Sequence, residues 1–236
     1  MGTLNANNRL AVYTAIIGDY DDLRDPEYVN SNYDYICFTD NDKIKSTKVW
    51  NVLHIDREVF NDTSGIDSVR FARFIKIMSH VMLPMYKRTL WVDSNTIIVD
   101  NVDTLLQEYS TGKDWLLFKH TQRDCIYDEA NACLDWNLDD KNIILNQINR
   151  FKSEGYPSKN GLIETNVMYR HVTDDVISLC EMWWSIVKNG SRRDQLSQMY
   201  CFWKLDKDFD IVPQRAKDTK WFKLVDHRGD RRYHVI

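Results

Sequence analysis

Short apolar runs recur along the chain, each closed by a small polar cluster. Residues 10–17 (LAVYTAII) run into Gly18-Asp19 and read as a buried first strand. Residues 35–39 stop at Asp40-Asn41-Asp42, and residues 50–55 alternate weakly; both read as strands. Residues 89–92 and 97–99 flank the polar break Asp93-Ser94-Asn95. Residues 115–119 run into His120, and residues 162–170 form a strand that carries Glu164 and Asn166.

Between these runs the apolar spacing turns helical. Residues 65–80 place Val69, Ala72, Ile75 and Ser79 on one stripe, and Pro84 ends the element. Further helices are predicted over 102–109, 125–133, 138–154, 174–188 and 195–205, with Trp183 and Trp184 in the core. Asn189-Gly190 reads as a C-cap and Ser191 as the next N-cap, with Asp194 suiting the positive helix terminus. Strands alternating with helices predict an α/β fold with a parallel or mixed sheet. No linker, repeat or low-complexity segment interrupts it, so residues 1–236 are expected to form one domain.

Composition narrows the classes. With 43% hydrophobic and 28% charged residues, 236 residues describe a globule with a substantial core. The five cysteines are scattered and form no C-x-x-C pair, which points to free thiols in a reducing compartment rather than structural zinc. No apolar run reaches membrane-spanning length and residues 1–9 lack a signal-peptide core, so the expectation is a cytoplasmic protein, with loose contact to a membrane left open. The net charge of −4 gives no reason to expect nucleic acid. Residues 215–234 carry seven Lys or Arg against three Asp, a local +4 that leaves −8 on the remainder. Residues 206–236 therefore read as a basic C-terminal arm, either solvated or facing an anionic ligand.

Several polar residues stand where chemistry could occur. Asp93 ends an apolar strand, and ligands of open α/β sheets bind outside the carboxyl ends of strands. The same triplet also suits an ordinary turn. Arg70, Arg73 and Lys76 form a basic face that could bind phosphate, pair with Asp93 or face solvent. His120, Arg123, Asp124, Tyr127, Asp128 and Glu129 form a polar cluster. Arg192 and Arg193 precede a helix N-terminus, a favourable setting for an anion or a sugar.

In order along the chain stand Arg70-Phe71-Ala72-Arg73, Leu90-Trp91-Val92-Asp93-Ser94-Asn95, Asn166-Val167-Met168, Arg193-Asp194-Gln195 and His227-Arg228-Gly229. This order resembles that of GT-A nucleotide-sugar glycosyltransferases, most of all the glycogenin-like family eight. The strings His120-x-x-Arg123-x-Cys125-Ile126-Tyr127-x-Glu129-Ala130, Gly161-Leu162-x-Glu164-Thr165 and Ser191-Arg192-x-Asp194-Gln195 resemble the glycosyltransferase-like domain of plant turgor-defect and mucilage-related proteins. The resemblance runs from about Ala11 to Arg232.

The resemblance implies a Rossmann-like GT-A domain whose mostly parallel mixed sheet is flanked by helices. It implies a nucleoside-diphosphate sugar as donor, a saccharide or other hydroxyl acceptor, and Mn²⁺ or Mg²⁺ as cofactor. Asp93 matches the first position of the metal-binding D-x-D, while Asn95 replaces its last carboxylate and can still coordinate through its amide oxygen. His227 matches a late metal ligand; Arg228, Arg231 and Arg232 match residues on the pyrophosphate, so the arm would close over the donor site. Arg73 would brace the Asp93 loop and the sugar, with Arg70 beside it. Thr14 and Asp40 would meet the base and ribose. Asp194 and Gln195 would lie near the donor sugar, and Glu164 and His120 would bind or deprotonate the acceptor. The family-eight likeness favours retention over inversion. Two alternatives are a GT-A-like nucleotide- or glycan-binding protein without turnover and a binder of anionic polymers that uses the basic arm.

Overall fold

In a computed structural model of the protein, residues 9–228 are described. The strands are β1 Leu10–Ile16, β2 Tyr33–Thr39, β3 Asn51–His54, β4 Arg88–Val92, β5 Thr96–Ile98, β6 Trp115–Lys119, β7 Ile163–His171, β8 Asp210–Val212 and β9 Phe222–Leu224. The helices are α1 Ser68–Ile77, α2 Ser79–Met82, α3 Val102–Tyr109, α4 Ile126–Asp135, α5 Lys141–Ser153, α6 Asp174–Asn189 and α7 Gln195–Lys204.

Seven strands form one sheet in the order β3-β2-β1-β4-β7-β6-β8. Only β7 runs against its neighbours, β4 and β6; the other pairings are parallel. Ala11 and Tyr13 pack into one apolar cluster with α1, α6 and α7, while Leu10 and Val12 pack into a second with α3. A sheet covered on both faces explains why its strands read as continuous apolar runs. This is the mostly parallel mixed sheet, flanked by helices, that the GT-A resemblance implies.

The antiparallel β7 decides where polar residues gather. Its register sets Val167 against Val92 and Glu164 against Phe118. The start of β7 therefore lies beside the ends of β4 and β6, and Asp93, His120, Glu164 and Asn166 collect at the carboxyl ends of these two strands.

Helix α1 is shorter than its pattern suggests. Asp67 caps its start, accepting from the Arg70 amide at 2.9 Å. At its end, the fully buried Arg170 of β7 donates to the carbonyls of Lys76 (2.8 Å) and Ile77 (3.0 Å), and the Tyr13 hydroxyl donates to Lys76 O at 2.7 Å. A cation and a hydroxyl on the last carbonyls stop the helix at Ile77, and the one-turn α2 follows. The buried positions are Phe71, Phe74, Ile75, Lys76 and Ile77, so the expected stripe is rotated and Val69 is exposed. Trp183 and Trp184 are in the core, as expected. Gly190 closes α6 because a Cβ there would lie 2.3 Å from Gln147 Oε1 and 2.8 Å from Ile186 O.

The expected arm is woven into the fold through residue 228. Strand β8 extends the main sheet beside β6, and β9 pairs antiparallel with β5 in a second small sheet. Trp221 and Phe222 are buried. Each of these strands has three residues, too few for a periodic signal in the sequence. The rest of the arm, residues 229–236, lies outside the described residues, as do residues 1–8.

Candidate functional site

A cleft of about 470 Å³ opens at the carboxyl ends of β1, β4 and β6. On its floor the chain turns tightly after β4. The Asp93 amide donates to Asn166 O at 2.8 Å, and the Thr96 amide donates to Asp93 O at 2.8 Å. The Asp93 carboxylate is aimed by the Trp91 indole N–H, 2.7 Å from Oδ1. Asn95 is 1% exposed; its Nδ2 donates to Val225 O at 3.1 Å while its carbonyl accepts from the Val225 amide at 2.9 Å. The amide side chain is thus needed to seat the chain after β9, which a carboxylate could not do. Asn95 Oδ1 is left buried without a hydrogen-bond partner.

Lys76 is buried beneath this floor. Its Nζ lies 2.8 Å from Asp194 Oδ2 and 3.5 Å from Asp93 Oδ1, and Arg73 Nε lies 3.3 Å from Asp194 Oδ1. Burial pushes the Asp194 carboxyl up, but Arg73 and Lys76 outweigh it and hold the group well below the usual carboxylate range. Burial pulls Lys76 down, opposed by Asp194 and Asp93. Asp194 was expected to serve the helix terminus; instead it precedes α7 in helical conformation, makes no side-chain cap, and points at these cations. Ser191 is likewise no cap of α7: its hydroxyl donates to Asp139 Oδ2 at 2.7 Å.

A third group closes the cleft from the chain's far end. His227 is 6% exposed, and its Nδ1 is 2.5 Å from Oδ2 of the buried Asp21. Ser94 Oγ donates to the same oxygen at 2.7 Å, and the Arg228 amide donates to Asp21 Oδ1 at 3.1 Å. Burial works to raise the Asp21 carboxyl, and the bonds from His227, Ser94 and Arg228 bring it below its ordinary value. A carboxylate on one ring nitrogen fixes the orientation of the imidazole.

The opposite wall is built from β6, α4, β7 and the turn before α7. The Arg123 amide donates to His120 Nδ1 at 3.0 Å, and Arg123 Nε pairs with Glu129 Oε2 at 2.6 Å. Burial, Arg123 and Arg215 push His120 down to about 4. With Nδ1 accepting, the neutral ring carries its proton at Nε2, which lies 3.4 Å from Arg123 Nη2 in the cleft wall. Arg215 Nε pairs with Glu164 Oε1 at 2.5 Å, and the Ala216 amide donates to Oε2 at 3.3 Å. Burial nonetheless raises the Glu164 carboxyl against the pull of Arg215. Gln195 Nε2 donates to Ile163 O at 2.8 Å.

Eight of the expected residues thus line one cleft: Arg73, Asp93, Asn95, His120, Glu164, Asp194, Gln195 and His227. Others stand apart from its lining. Thr14 is 1% exposed within β1. Asp40 accepts from the Gly18 amide at 2.6 Å and from Arg57 Nη2 at 2.9 Å, tying the end of β1 to the end of β2. Arg70 turns away from Arg73 to meet Asp67 Oδ2 (2.5 Å), Val187 O (3.2 Å) and Gly190 O (2.6 Å), a structural role. Lys76 is buried rather than part of a basic surface. Arg228 is exposed and pairs with Asp19 at 2.6 Å. Arg231 and Arg232 lie outside the described residues.

Asp21, Tyr20, Trp136 and Arg215 were missed. Asp21 and Tyr20 sit in the acidic loop after β1, residues 18–22 (GDYDD), whose composition suits a base or ribose but does not single out either residue. For Lys76 the pairing with Asp93 offered by the sequence is present at 3.5 Å, and its place between the apolar Ile75 and Ile77 signals its burial. Among the described residues no three His, Cys, Asp or Glu side chains converge as a metal set, and no helix is long and apolar enough to cross a membrane.

A family profile described as TOD1/MUCI70, glycosyltransferase-like domain, matches residues 3–228. No curated protein sequence matches the chain. Among solved structures, mouse xyloside xylosyltransferase 1 in its apo form is similar at 12% identity and a TM-score of 0.48, over 87% of this chain and 85% of that one. A glycosyltransferase involved in glycosylating the major capsid of PBCV-1 is similar at 11% identity and a TM-score of 0.39, over 70% of this chain and 67% of that one. The apo structure of the bifunctional glycosyltransferase WbbM gives 10% identity and a TM-score of 0.47, over 85% of this chain and 38% of that one.

Proposed function

The chain belongs to the TOD1/MUCI70 glycosyltransferase-like family, and from that premise we propose that its cleft moves a sugar from a nucleoside-diphosphate donor to a hydroxyl of a saccharide or related acceptor. The observation that carries this reading is the meeting of Asp93, Asn95 and His227 with the Lys76–Asp194–Arg73 ion group in one cleft at the ends of parallel strands.

The diphosphate lies over the turn at Asp93-Ser94-Asn95. The Asp93 carboxylate, the unpaired Asn95 Oδ1 and the His227 imidazole make a donor set that fits Mn²⁺ or Mg²⁺, completed by phosphate oxygens. With one carboxylate and one imidazole, the protein alone does not fill the coordination shell. When bound, the cation supplies charge neutralisation for the departing diphosphate. Asp21 orients His227, and the Trp91 indole orients Asp93. Tyr20, 43% exposed in the cleft wall, offers a ring face to the base. Asp194, kept ionised by Lys76 and Arg73, faces the positive charge that develops on the sugar.

Retention is the proposed stereochemistry. Inversion needs a base opposite the leaving group. His120 carries its proton at Nε2, Asp194 is a weak base, and Glu164 is bound to Arg215, which supports a reaction without one.

The test is calorimetric and thermal titration with a panel of nucleoside diphosphates and nucleotide sugars, with and without Mn²⁺. One nucleotide should stabilise the protein, more so with Mn²⁺, and Asp93→Ala should abolish the effect. No response to any nucleotide would overturn the proposal. Binding without sugar transfer or donor hydrolysis would favour a binding protein without turnover.

A further inference from the structure

We propose that the half of the cleft walled by Arg123, Trp136 and Arg193 is an acceptor subsite for an acidic saccharide, one that bears a carboxylate or a phosphate. The inference rests on the donor reading above, which assigns the Asp93 half of the cleft to the nucleotide.

The subsite begins with the way α4 ends. The Trp136 amide donates to Ala132 O at 3.1 Å, Asn137 takes a left-handed conformation (φ 52°), and the Leu138 amide returns to Cys133 O at 2.9 Å. Asn tolerates this conformation better than most residues. The turn sets Trp136 and Leu138 into the cleft wall. Trp136 is half-buried, with the Arg123 guanidinium 5.6 Å from its ring centre. An aromatic face beside polar groups suits the apolar C–H face of a sugar ring.

The charge balance specifies the sugar. The lining carboxylates here already hold cations: Glu129 has Arg123, Glu164 has Arg215, and Asp194 has Lys76 and Arg73. Arg192 meets Asp139 at 3.4 Å. Among the described residues, Arg193 is the cleft-lining arginine with no carboxylate within 4 Å, and its Nε is buried without a hydrogen-bond partner. Elsewhere on its side chain Arg193 hydrogen-bonds the Cys133 thiol, which burial pushes up to about 11 so that no thiolate balances it, and at longer range it adds to the cations that lower Asp194, leaving Nε as the unpaired donor. A buried donor without an acceptor calls for a partner, and a guanidinium fork fits a carboxylate or phosphate. The protein as a whole is −4, so this cation excess is local to the cleft.

The experiment measures binding of methyl glycosides in three matched forms, neutral, uronate and 6-phosphate, in the glucose and galactose series. Wild type, Arg193→Gln and Arg193→Lys are compared, with nucleotide stabilisation recorded for each and inorganic phosphate as a control. The expected result is that uronate or phosphate forms bind at least tenfold tighter than neutral ones. Arg193→Gln should erase the preference, Arg193→Lys should keep part of it, and nucleotide stabilisation should be unchanged. Preference for the uronate over the phosphate form, or the reverse, identifies the acidic group. The proposal is overturned if neutral and acidic forms bind alike, if no form binds, if the preference survives Arg193→Gln, or if inorganic phosphate binds as well as the sugar phosphate. It is also overturned if Arg193→Gln abolishes nucleotide binding, which would put Arg193 on the donor. An acidic preference in a protein that answers to no nucleotide would sink the donor reading and leave the saccharide site standing.

Discussion

Lys76 Nζ lies 2.8 Å from Asp194 Oδ2, with side-chain exposures of 1% and 3%. This pair joins α1 to the start of α7 under the floor of the cleft. Removing one partner of such a pair leaves the other charge buried and uncompensated, at about 3–5 kcal/mol. Arg73 remains beside Asp194, which places Lys76→Met at the lower end, about 3 kcal/mol, and lowers Tm by roughly 10 °C. Urea unfolding measures it. A change below about 1 kcal/mol would show that water reaches the pair in solution.

His120 makes stability depend on pH. Its ordinary value of 6.5 falls to about 4 in the folded protein. Between those values the unfolded chain binds a proton that the folded chain does not, so stability declines as pH is lowered from about 6.5 toward 4. The whole effect is about 3 kcal/mol. Urea midpoints for wild type and His120→Gln should differ in slope across that window, with the variant flatter. Asp21 and Asp194, both lowered, lose their contribution further down, where carboxylates protonate.

Asn95→Asp tests why an amide stands where the resemblance expects a carboxylate. The substitution removes the Nδ2 bond to Val225 O and sets a charge against that carbonyl. It should destabilise the protein by about 1–3 kcal/mol. It should also add a hard anionic ligand at the turn, so the gain in nucleotide binding caused by Mn²⁺ should increase. Equal stability with no change in the metal effect would remove Asn95 from both roles.

The strands and helices of the core were legible because burial on both sheet faces leaves long apolar runs, as in residues 10–17. The strand-ending Asp93 and the Asp194–Gln195 pair were legible through ordered motifs. What escaped depends on partners distant in sequence. Arg170 looks like one more strand residue, yet it ends α1 by binding Lys76 O and Ile77 O. Arg70 and Arg73 lie three residues apart and look equivalent, yet only Arg73 reaches the cleft, because Gly190 O and Val187 O attract Arg70. Asp21 becomes visible only once His227 and Ser94 are beside it. Strands β8 and β9 have too few residues to show a period.

The bonds from Val225 to Asn95, and from His227 and Arg228 to Asp21, make the last described residues a wall of the cleft. Synthesis runs from the N-terminus, so a growing chain can pair β1 with β2 and β4 long before this wall exists. The cleft is therefore completed only after residue 228 has left the ribosome, and a chain cut before β9 would keep most of its sheet while losing the site.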